Sequence, residues 1–158
     1  MKRSIRKGLG FGLNSGVITT LGMMVGLNAS TQSRLAVIGG IIAIAIADAF
    51  SDAVGIHISE EAEQRHSERE IWEATVSTLV SKFFIALTFV MPVLAFELPV
   101  ALAVSIAWGL ALVVIFSYYI AVRQGVRPFR VLLEHVTIVV LVIIITHYVG
   151  KWVGKFCY

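Results

Sequence analysis

Two aspartates, Asp48 and Asp52, stand one helical turn apart in a run that is otherwise hydrocarbon, Gly39 to Glu63, GGIIAIAIADAFSDAVGIHISEEAE. A charge at the bilayer centre costs at least about 2.5–3.5 kcal/mol on insertion scales, so carboxylates in such a run are candidates for function. Like charges at that spacing repel, and either a proton on one of them or a divalent cation between them relieves the conflict. Carboxylate, amide and hydroxyl oxygens suit Mn²⁺ or Mg²⁺; imidazole moves the preference toward Fe²⁺ or Zn²⁺. An amide and a hydroxyl are on offer at Asn14 and Ser15, in the preceding apolar run. Downstream of the aspartates the chain turns acidic, and Glu60, Glu61 and Glu63 read as groups that gather cations at an entrance. Lys82, Glu134 and His135 complete the polar set, as proton-coupling or charge-pair candidates. The plainer alternative is that Lys82 neutralises Asp52 or Glu134 and cements the bundle, as intramembrane ions commonly do.

The elements that position these residues are membrane helices. The chain has 158 residues, 58% of them hydrophobic and 15% charged, and its mean hydropathy of +0.87 is too high for an ordinary soluble domain. A bilayer core of about 30 Å needs roughly 20 apolar residues in a helix. Five segments qualify, about 9–27, 35–58, 75–96, 99–122 and 131–149, in a single transmembrane domain with an acidic cytoplasmic hinge at 59–73. The basic residues ahead of the first run resemble a signal peptide, but its glycines, Asn14 and Ser15 favour a first membrane helix. An orientation with the N-terminus inside puts ten of the 13 Lys and Arg residues on the cytoplasmic side and three outside, so the expected topology is N-in, C-out. Trp152, Phe156 and Tyr158 read as an outer interfacial belt, and Pro92 as a kink in the third helix.

Small residues recur every fourth position along the second helix: Gly39, Ala43, Ala47, Ser51 and Gly55. Gly12 and Gly16 repeat the spacing on the first. Such stripes let backbones approach closely, and they are expected at the seam of a homodimer. Met23 and Met24 offer thioether sulfur, though mid-helix methionines more often pack. One cysteine, Cys157, allows no intramolecular disulfide. No nucleophile–His–Asp set, phosphate loop or CxxC occurs, so no enzyme is expected. The basic residues anchor loops rather than form a nucleic-acid stripe.

Two motifs resemble those of the vacuolar iron transporter family, which includes the yeast-type calcium-cross-complementer iron and manganese transporters. Residues 12–20, GLNSGVITT, are similar to the family's first-helix motif, G-x-N-D-G-L-V-T-T. Residues 47–55, ADAFSDAVG, are similar to its second-helix motif, A-D-A-x-S-M-A-x-G. Tyr119 to Gly154 has the look of the family's basic inner loop, last helix and exit. Ser15 stands where the family has aspartate and Asp52 where it has methionine, so a carboxylate has in effect moved from the first helix to the second. About 15 residues occupy the place of the cytoplasmic metal-binding insertion of longer members.

The resemblance implies an all-α, five-helix dimer with its path between the first two helices of both subunits. It implies transport of Fe²⁺ or Mn²⁺ out of the cytoplasm, with no permanently bound cofactor. The expected partners are a second copy, membrane lipid and the metal ion. The expected location is a prokaryotic plasma membrane, or a vacuolar-type membrane in a eukaryote. The alternatives are a scaffold of the same fold that does not transport, and a carrier for another cation.

Overall fold

The computed structural model describes residues 2–157 as helices joined by short turns, with no strand among them. Tyr158 and the side chain of Cys157 lie outside the described residues. The helices are α1 (Arg3–Thr31), α2 (Arg34–Ala62), α3 (Glu68–Thr88), α4 (Val90–Ala95), α5 (Leu98–Gln124) and α6 (Pro128–Cys157). Counting α3 and α4 together, five are long and apolar enough to cross a membrane.

The helices outrun the expected spans because polar residues beyond the apolar core stay helical. At 1.5 Å per residue, the 29 residues of α2 reach about 43 Å, more than the hydrocarbon alone requires. The expected hinge at 59–73 therefore shrinks to residues 63–67. Its far side is fixed by a capping box. The Ser67 hydroxyl accepts from the Glu70 N–H, and the Glu70 carboxylate accepts from the Ser67 N–H.

Other boundaries follow from equally local chemistry. Ser33 caps α2 by accepting from the Ala36 N–H at 3.3 Å. Gly125, at φ +68°, ends α5 in the left-handed conformation that glycine enters without strain. Pro92 has no N–H to offer the carbonyl a turn before it, and the third span breaks at Phe89 into α3 and α4.

α1 is the hub and touches α2, α3, α5 and α6. Its Val17, Leu21 and Met24 are fully buried, in one core with Ile41, Phe89 and Val113. Met24 belongs to this core, and Met23 lies against Gly40, so both methionines pack. Large apolar side chains such as Phe50, Phe84, Ile115 and Ile145 point outward, as in a protein whose solvent is lipid.

Candidate functional site: an Asp–Lys–Asp cluster inside the bundle

Gly12 and Gly16 do not face outward. A Cβ on Gly12 would stand 2.6 Å from the Thr78 carbonyl oxygen, and one on Gly16 would stand 3.3 Å from the Lys82 Cγ. Gly8 extends the same row against Ala74 and Ser77. These glycines let α3 lie directly on α1 inside one chain, which corrects their expected place at a dimer seam. The reason is that α1 has neighbours on nearly every side, so its small face is used within the chain.

This close approach carries the stem of Lys82 past Gly16 to the polar centre. Lys82 is 1% exposed. Its ammonium lies 2.6 Å from the Asp48 Oδ2 and pairs with the Asp52 Oδ2. The ammonium also donates to the Ser15 hydroxyl at 2.9 Å, and that hydroxyl donates to the Asp52 Oδ2 at 2.6 Å. Three helices thus meet at one ammonium, two carboxylates and one hydroxyl. The Asp48 Oδ2 is held by charge without an aligned hydrogen bond. With every group ionised the cluster keeps one negative charge, and the aspartate side chains remain 26% and 20% exposed.

The other candidates lie elsewhere. Glu134 was expected near the aspartates; its side chain is 57% exposed and pairs with Arg130 one turn back. His135 instead shares a hydrogen bond of 2.7 Å with the Ser117 hydroxyl. The segment carrying them turns Glu134 outward and His135 toward α5, so neither joins the cluster. Glu60 is buried, and it is paired with Lys7 rather than open to arriving cations. His66 sits 3.5 Å from Glu60 and 3.3 Å from Glu63. Glu61 is exposed and outside this group. Asn14 lines a cavity, and its side-chain oxygen has no partner among the described residues.

No set of three or more His, Cys, Asp or Glu side chains among the described residues converges on a metal position. The cluster offers two carboxylates and a hydroxyl. Small hard divalent ions are commonly held by one or two carboxylates with retained waters.

The row predicted on α2 is exposed along its whole length: Gly39, Ala43, Ala47, Ser51 and Gly55. A Cβ built on Gly39 or Gly55 would meet nothing within 4 Å. The aspartates lie beside this uncovered row.

The fold and site define a class: an all-helical, multi-pass membrane protein with an ion cluster among its first three helices. The sequence model of the VIT family, the vacuolar iron transporters, matches residues 9–75, somewhat less than half of the chain. The match contains Ser15, Asp48 and Asp52 and stops short of Lys82. No curated protein matches the chain significantly.

Proposed function

We infer that this chain is a homodimeric carrier that moves Fe²⁺ or Mn²⁺ out of the cytoplasm in exchange for protons. One observation carries the reading. Asp48 and Asp52 place a carboxylate pair beside an uncovered small-residue face, in a stretch that matches the model of a metal-transport family. A second copy on that face would remove both carboxylates from lipid, where they are costly. Lys82 acts as a resident counter-cation that an arriving metal ion displaces. The N-in orientation rests on the basic residues gathered at the end of the bundle with the 63–67 and 125–127 turns.

The fit of Lys82 between both aspartates also favours a second reading, a scaffold whose site is permanently closed by its own ammonium. Flux separates the two. Proteoliposomes holding a proton indicator should take up Mn²⁺ and Fe²⁺ with a matching proton signal. Asp52→Asn should lower the rate by about 100-fold or more, since it removes the carboxylate shared by Ser15 and Lys82. A folded wild-type dimer with no flux overturns the transport reading in favour of the scaffold.

A further inference from the structure

A cavity of about 730 Å³ opens among the first turns of α1, the 60–70 segment, the end of α5 and the start of α6. Its volume is typical of small-molecule sites, about 300–1,000 Å³. Its charge is the opposite of what a cation entrance needs. The acids on its wall are already committed: Glu60 and Glu63 to Lys7 and His66, and Glu70 to the Ser67 cap. Arg3, Arg6 and Arg123 also line it, and no carboxylate pairs with them among the described residues. Arg6 is half-buried, which makes an unpaired guanidinium there costly unless an anion approaches.

The remaining wall is part polar, with Ser4, Asn14, Ser15, Gln124 and His135, and part hydrocarbon. Phe11, Ile18, Ile120 and Ile138 line the cavity, and Phe11 and Ile138 are 43% and 46% exposed on the lipid-facing surface. Guanidinium groups beside apolar side chains, at the end of a membrane bundle, complement a phosphate joined to acyl chains. Basic pockets between membrane helices on the cytoplasmic side bind anionic headgroups by this arrangement. We propose that this cavity is a binding site for one anionic phospholipid, its phosphate held by Arg3, Arg6 and Arg123 and an acyl chain laid along Phe11, Ile18, Ile120 and Ile138. The cavity adjoins the Asp48–Lys82–Asp52 cluster, because Ser15, bonded to both Lys82 and Asp52, also lines it; the arginines proposed to hold the phosphate are not members of that cluster.

Native mass spectrometry of the detergent-purified full chain tests this, with phosphatidylglycerol, phosphatidylcholine, glycerol phosphate and inorganic phosphate as probes. Phosphatidylglycerol is expected to be retained and phosphatidylcholine not. Arg6→Gln/Arg123→Gln should weaken phosphatidylglycerol binding by roughly 30-fold, about fivefold for each arginine. Arg127→Gln/Arg130→Gln, with the same charge change outside the cavity, should leave it unaltered. Equal retention of phosphatidylcholine, or equal loss in the control pair, overturns the site. Binding of glycerol phosphate or inorganic phosphate as tight as that of the lipid overturns it in favour of a soluble phosphate site. A matching thermal midpoint shows that the Arg6→Gln/Arg123→Gln protein is folded. The single variant Arg123→Gln, at an exposed position, should still show the fivefold loss.

Discussion

Lys82→Met is expected to lower the stability of the bundle by about 3 kcal/mol, read as a fall in the thermal midpoint in detergent. Removing one partner of a buried ion cluster costs about 3–5 kcal/mol, because the remaining charge loses its compensation. The low end applies here because Asp48 and Asp52 are partly exposed. The loss should not come from packing, since methionine fills most of the volume of the lysine stem beside Gly16. Two companions make the charge argument specific. Lys82→Met/Asp48→Asn/Asp52→Asn removes all three charges and should recover most of the lost stability. Added Mn²⁺ should raise the midpoint of Lys82→Met but not that of the triple variant, because only the former keeps the carboxylates. An unchanged midpoint in Lys82→Met would mean that the ammonium does not hold the helices together.

The second large effect concerns the face of α2. Ala43→Trp/Ala47→Trp should turn the proposed dimer into a monomer, raising its dissociation constant by about 100-fold or more, roughly 3 kcal/mol of lost close packing. Both positions are exposed within one chain, so the indoles meet lipid instead of a neighbouring helix. Helix content should therefore persist while the mass in detergent halves. Metal flux should fall with the dimer, since each aspartate pair would then face lipid rather than the partner's α2. A variant as dimeric as the wild type would move the seam to another face.

Much of this was readable from residue types, and the misplacements share one cause. Apolar runs gave the five spans, and the Asp48/Asp52 spacing gave the carboxylate pair. Periodicity shows that a helix has a small face but not which neighbour it meets. The stripe at Gly39–Gly55 lies open on α2, whereas Gly12 and Gly16 are consumed by α3. The row also begins a turn earlier, at Gly8, and its counterpart on α3, Ala74 and Thr78, repeats the same four-residue spacing. Lys82 was legible as a charge inside a span, but its choice of the aspartates over Glu134 depended on helix rotation. Its long stem can bridge whichever carboxylate the packing presents. Glu60 was the hardest to read, because its acidic surroundings suggest an open mouth and its pairing with Lys7 requires α1 and α2 to lie together.

In the proposed transport cycle, metal replaces the Lys82 ammonium between Asp48 and Asp52. Mn²⁺ binding to the detergent-solubilised wild type, Lys82→Met and Asp52→Asn, followed by the loss of the free-ion electron paramagnetic signal, tests that most directly. The wild type should bind weakly, because each ion must first displace a buried cation. Lys82→Met should bind at least about tenfold more tightly, a gain of about 1.4 kcal/mol or more, and Asp52→Asn should not bind. No binding to Lys82→Met, or equal binding to Asp52→Asn, would contradict the account and leave the cluster as a structural fastening between helices.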